Sequence, residues 1–214
     1  MFVELIDRLR CPRPHEEGWL VATASRTVGR HIEEGALGCP VCGAEYAIRE
    51  GEVWFGGSEP GTPVPAPRVR EDEPVRLAAM LGLDDRGGLY VLDGAWSGCA
   101  PAIASMFPDA RLVFLASPEG QGASVVLRGT GDAIPLVAGG ARGVALQRAA
   151  PALVDAAARV LAAGGRLVAP AASVVPEAIT LVARDETWWV GARASSSISA
   201  PVTPRRAAPR TGLR

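Results

Sequence analysis

Cys39-Pro-Val-Cys42 constrains the fold of this chain more than any other stretch. Two thiols separated by two residues on a proline-tightened turn, released by Gly43, face a common point. A tetrahedral ion needs two more donors, and Cys11-Pro-Arg-Pro-His15 offers them. Position 14, where a matching Cys-x-x-Cys would place its second thiolate, is Pro14, so His15 is the nearest replacement. Cys11, His15, Cys39 and Cys42 thus form a candidate Zn²⁺ site of three thiolates and one imidazole, with His31 as the competing fourth ligand. Two other readings stay open: a metal-free mini-domain with buried thiols, or a disulfide. Met1 to Leu9 carries Glu4, Asp7 and Arg8 among its apolar residues and does not read as an apolar leader. That argues against an oxidising compartment and for a cytoplasmic setting.

All 22 basic residues are Arg, which excludes Schiff-base chemistry, a phosphate-loop lysine and a lysine general base. A formal charge of -1 gives no global field for nucleic acid. No apolar run is long enough to cross a bilayer.

Four segments follow from the pattern of residues. Residues 1–57 alternate short apolar runs with Gly and charge (Trp19 to Ala22, Gly35 to Leu37, Tyr46 to Ile48, Val53 to Phe55) and predict a small β-rich domain around the cysteines. Residues 58–74 hold five Pro and predict a stiff linker. Residues 75–192 begin with helical spacing (Val75, Leu77, Ala78, Leu81) and then alternate strands with helices. The strands are Leu89 to Asp93, Arg111 to Ala116, Ala123 to Leu127, Gly143 to Gln147 and Gly165 to Ala169, with helices over Ala100 to Phe107 and Pro151 to Ala163. This order predicts a mostly parallel sheet, closed by an antiparallel hairpin of Ile179 to Ala183 and Thr187 to Val190. Residues 193–214, rich in Ser and Pro with five Arg and no acid, predict a disordered tail. Deleting it is expected to leave the melting temperature unchanged, a point settled by one calorimetric scan.

Residues 88–191 resemble a class I S-adenosylmethionine-dependent methyltransferase. The likeness is carried by Val91-Leu-Asp-Gly-Ala-Trp-Ser-Gly98, by Gly131-Asp-Ala-Ile-Pro-Leu136, and by Ala158 to Val168 with its Arg-Val-Leu-Ala-Ala-Gly-Gly run. Leu9-Arg-Cys-Pro12, Gly35 to Cys42 and Tyr46 to Gly51 are similar to the small zinc-ribbon family that activates RNA and protein methyltransferases by docking beside them. The resemblance implies an α/β, Rossmann-like domain preceded by a zinc ribbon. It places an S-adenosylmethionine pocket at Asp93, Gly94, Gly98 and Asp132, where Asp132 meets the adenine amino group unless it merely caps the following turn.

This chain also departs from that pattern. The alternate glycine places of the cofactor loop fall on Ala95, Ser97 and Cys99, and each added side chain narrows the pocket. The second strand should end in a carboxylate for the ribose hydroxyls but ends in Leu115-Ala-Ser117. After the fourth strand, Gln147-Arg-Ala-Ala-Pro151 stands where amino-methylating families carry Asn or Asp before Pro-Pro and an aromatic. Cys99 reads as a small core residue at a helix start, with a nucleophile as the alternative. The leading expectation is a degenerate methyltransferase-like scaffold or regulatory partner of another protein. The alternative is an active methyltransferase acting on RNA, protein or a small molecule. Nucleic-acid binding through Arg8, Arg10, Arg13, Arg26 and Arg30 is a third class, diluted by Glu4, Asp7, Glu16, Glu17, Glu33 and Glu34.

Overall fold

The computed structural model describes residues 1–56, 69–115 and 124–195. The strands are β1 (Val21–Val28), β2 (His31–Gly38), β3 (Glu45–Arg49), β4 (Glu52–Trp54), β5 (Gly88–Asp93), β6 (Ala110–Leu115), β7 (Ser124–Arg128), β8 (Ala141–Ala145), β9 (Leu161–Pro170), β10 (Ile179–Arg184) and β11 (Trp188–Arg193). They form one sheet in the order β1-β2-β3-β4-β7-β6-β5-β8-β9-β11-β10. Its centre, from β4 through β7, β6, β5 and β8 to β9, is parallel. A β10–β11 hairpin closes one side antiparallel to β9, as the sequence pattern predicts.

Alternation within the central strands sorts side chains onto two faces. Tyr90, Leu92, Leu112, Phe114 and Val126 pack under α1 (Glu73–Leu81) and α2 (Ala100–Met106). Leu89, Val91, Val113, Leu115, Val125 and Leu127 face the other way, against Leu153, Val154 and Ala157 of α3 (Pro151–Val160). These three are the α-helices among the described residues. Beside α3 the face is covered by the N-terminal segment, where a 3-10 turn over Val3–Arg8 sets Leu5 and Leu9 fully into the same core.

The metal-ligand part is thereby stitched to the α/β part at two places. β4 pairs in parallel with β7 through Val53↔Leu127 and Trp54↔Arg128, and Glu52 takes both guanidinium nitrogens of Arg128 at 2.7 and 2.8 Å. Just beyond this pairing Gly56 and Gly129 meet, and a Cβ on Gly129 would lie 2.6 Å from the Gly56 nitrogen, so both positions need glycine. Leu9 bridges Leu136, the Arg10 amide donates to the Pro135 carbonyl at 2.9 Å, and the Val137 amide donates to the Arg8 carbonyl at 2.8 Å.

Several expected boundaries shift. The linker expected over 58–74 lies outside the described residues through position 68, and α1 already begins at Glu73. The helix expected to reach Ala163 stops at Val160, because Leu161 pairs with Ala141 and starts β9. The first residues assigned to the tail are ordered. Arg193 ends β11, and its guanidinium donates to the carbonyls of Ala158, Arg159 and Leu161. Residues 196–214 lie outside the described residues, so the deletion that tests the tail begins at 196.

Candidate functional site

The turn after β2 builds one half of the metal-ligand cluster. The Gly43 amide donates to the Cys39 carbonyl at 2.9 Å and the Cys39 amide to the Ala44 carbonyl at 2.8 Å, which closes the knuckle. The loop after Leu9 brings the other half. The ligand atoms of Cys11, His15, Cys39 and Cys42 all lie within 4.8 Å of one another, so these four residues can hold a metal ion. Cys11 Sγ lies 3.8 Å from Cys42 Sγ, and Cys39 Sγ lies 3.5 Å from His15 Nε2. The other imidazole nitrogen, Nδ1, sits 2.5 Å from the Glu16 carbonyl; this bond orients the ring and raises the pKa of the imidazole. A disulfide would need a separation of about 2.05 Å, and all four cysteines are free. His31 pairs with Val28 at the start of β2, about 25 Å along the strand from Cys39, and is not part of the cluster.

Hydrogen bonding at the knuckle favours a thiolate at Cys39. Burial raises the Cys39 thiol, but the amides of Cys42 and Val41 and the neighbouring Cys42 and Cys11 thiols outweigh it, drawing the pKa down to about 7. Tyr46, buried beside Cys11, has its phenol pushed up by burial and then by that thiol. It therefore keeps its proton, and its hydroxyl lies 3.1 Å from Cys11 Sγ. Tyr46→Phe is expected to weaken metal affinity about tenfold, as loss of outer-shell donors does, in a competition titration against a chromophoric chelator.

The carboxylates of the expected cofactor pocket are brought together, but around a side chain of the protein itself. Asp93, at the end of β5, is fully buried. It accepts from the amides of Gln147 and Arg148, both at 3.2 Å, and from the Arg148 guanidinium at 2.9 and 3.1 Å. The same guanidinium reaches Asp132 Oδ1 and the Gly131 carbonyl, each at 3.2 Å. Arg148 thus spans the two acids. Gly94 has φ +62, and a Cβ there would lie 2.8 Å from Gln147 Oε1, which already accepts from the Ala95 amide at 2.8 Å.

The segment expected to be an open small-residue loop is a 3-10 helix over Gly94–Cys99 that includes Gly98. Ser97 Oγ donates to the Gly94 carbonyl at 2.9 Å. Trp96 is buried, with its indole N–H toward the Leu146 carbonyl and its ring 4.9 Å from that of Trp188. Cys99 is fully buried, and burial pushes its thiol up to about 12, which favours the core reading over the nucleophile. Leu115 closes β6, and the expected ribose place at Ala116 and Ser117 lies outside the described residues.

Sequence reasoning missed Arg148 as a member of this site. The signal was its position directly after β8, the parallel neighbour of β5, which sets it beside the strand end that carries Asp93. It also missed Tyr46, which was read only as an apolar strand residue.

The chain matches no protein-family model and no curated protein. Among solved structures it is similar to methyltransferases. One is a complex of the Haloferax volcanii Trm112 methyltransferase activator with a putative methyltransferase, at 14% identity over 61% of this chain and 92% of that chain, TM-score 0.46. Another is the antibiotic-resistance methyltransferase Kmr, at 14% identity over 57% of this chain and 93% of that one, TM-score 0.39. A third is a predicted O-methyltransferase from Agrobacterium tumefaciens, at 16% identity over 56% and 80%, TM-score 0.36. No helix among the described residues is long and apolar enough to cross a membrane.

Proposed function

We propose that this chain is a zinc ribbon fused to a degenerate, Rossmann-like methyltransferase domain, and that it works as a scaffold or regulatory partner of another protein. The observation that carries this reading is the Arg148 guanidinium held between Asp93 and Asp132. A class I cofactor would draw on those two carboxylates, and here a permanent cation already uses them. Gln147 Oε1 lies against Gly94 and already accepts from the Ala95 amide, so that backbone donor of the loop is occupied by the protein itself. The residues as arranged do not fit S-adenosylmethionine.

Zinc, by contrast, suits its donor set. A tetrahedron with Zn–S near 2.3 Å and Zn–N near 2.0–2.1 Å has S···S edges of about 3.8 Å and S···N edges of about 3.5 Å. Those are the separations of Cys11 from Cys42 and of Cys39 from His15. Four protein ligands leave no open position, so the ion supplies structure. The resemblance of residues 1–57 to docking activators supports the same reading, since β4 extends the parallel sheet at β7 within one chain.

Calorimetric titration with S-adenosylmethionine tests the proposal. Absence of saturation in the micromolar range is expected, together with close to one zinc per chain by elemental analysis. Saturation at low micromolar cofactor would replace the scaffold by an active methyltransferase.

A further inference from the structure

A second place that the methyltransferase resemblance does not explain lies between the metal loop, the 132–135 loop and α3. It is a cavity of about 480 Å³ lined by Ala152, Ala156 and Arg159 of α3, by Ile134 and Pro135, and by Arg10 and Glu17, with Cys11 and His15 of the cysteine cluster also in its wall. Its size falls within the range of small-molecule sites. Ala152, Ala156 and Arg159 recur at helical spacing, so they form one face of α3 about 10 Å long. This wall is apolar until it reaches Arg159.

Charge is arranged at that end. Arg10 is nine-tenths buried, with its guanidinium fixed by the carbonyls of Leu9 at 2.7 Å and Asp7 at 3.1 Å and lying 3.5 Å from the Trp19 ring centroid. Arg159 is fixed by the carbonyls of Ile134 at 2.8 Å and Leu136 at 3.0 Å. Between the two guanidiniums stands the Glu17 carboxylate, with one oxygen 3.2 Å from Arg10 and the other 4.0 Å from Arg159. Glu17 is nearly half exposed, on the loop that follows His15. A carboxylate this exposed, held only by these two ion pairs, can turn into water at small cost, whereas Arg10 is buried and Arg159, though as exposed as Glu17, is tied to two carbonyls.

We infer that this cavity binds a small organic carboxylate, whose head replaces Glu17 between Arg10 and Arg159 and whose apolar body lies along Ala156 and Ala152. Glu17 is then a built-in competitor that marks where the head sits. The far end carries Asp132, already engaged by Arg148, so a second anionic group there is disfavoured and the ligand has one charged end. Asp93 is not in its wall, so the site stands whether or not S-adenosylmethionine binds.

The test uses octanoate, whose extended length is close to the 10 Å wall, with octylamine and inorganic phosphate as controls. Binding to the full, metal-loaded chain is followed through the amide resonances of Ile134, Ala152 and Ala156. Octanoate is expected to saturate with a dissociation constant of about 0.1–1 mM. Glu17→Gln should tighten it about tenfold, because the competitor is neutralised. Ala156→Leu should abolish it by filling the wall, with no charge altered and a helix-favouring residue introduced. A merely structural Glu17 strut predicts the opposite: Glu17→Gln lowers stability and improves no binding. Failure of octanoate to saturate, equal shifts with octylamine or phosphate, or unchanged affinity in Glu17→Gln would each overturn the inference.

Discussion

On the proposed zinc-ribbon reading, chelating the ion is expected to lower the melting temperature by about 8–16 °C, read by calorimetry against the untreated protein. Peptides that fold only with zinc draw about 10–16 kcal/mol from it. Here the apo chain keeps the β4–β7 pairing and the packing of Leu5 and Leu9, so the ion is left with a share of about 4 kcal/mol. A chain of this size loses about 2–4 °C per kcal/mol. Cys39→Ser should reproduce the loss in full, since Cys39 is buried and gathers the knuckle amides, whereas Cys42 is exposed.

Acid should act in the same direction. The Cys39 pKa in the folded chain lies below its ordinary value of 9.0, so the thiolate contribution is fully present above that value and is lost as pH falls through about 7. The raised His15 imidazole adds a proton competing for the same coordination place. Complete removal of the ion with no change in melting would show that the ribbon is held by its sheet alone.

The parts of this structure that were legible in the sequence are those set by local pattern. Leu89 to Leu92 and Leu112 to Leu115 are continuous apolar runs because both faces of β5 and β6 are covered, and the strands of the closing hairpin are joined through Arg184-Asp-Glu186. The approach of Cys39 and Cys42 was legible because Cys-x-x-Cys is a local geometry. Parts decided by contacts between distant residues were not. β1 is a long edge strand, exposed almost throughout, so it carries no alternation, and only its first two residues were recovered. Leu161-Ala-Ala163 has high helix propensity, yet tertiary pairing with Ala141 makes it strand. Gly94 to Cys99 looked like an open loop because small residues permit one. Burial of Trp96 and the bond from Ser97 wind it into a helix instead. Met1 to Leu9 was weighed only as a leader, although Leu5 and Leu9, four residues apart, already gave the spacing of a buried face.

Wild-type protein is expected to bind S-adenosylmethionine with a dissociation constant well above the micromolar range, and Arg148 is the side chain whose removal should change that most. Asp93 has no exposed surface and is neutralised by Arg148, so the cofactor cannot reach this acid unless the guanidinium leaves. Breaking such a pair strands a buried charge. Because the amides of Gln147 and residue 148 still donate to Asp93, Arg148→Ala should cost about 2–3 kcal/mol, the lower end for a buried pair. In exchange, both carboxylates lose their cation and can attract a cationic ligand, and cofactor affinity should rise about tenfold over wild type. Adding Ala116→Asp at the expected ribose place should increase it further, since a carboxylate accepting from hydroxyls acts on a different part of the ligand. Cys99→Gly is a poor route to the same end, because its side chain belongs to the core under α1 and α2 and its loss leaves a cavity. Calorimetry on the wild type and the two variants orders these effects. Low-micromolar saturation by the wild type would mean that Arg148 leaves unaided, and the carboxylate clamp would then be a gate on an active site.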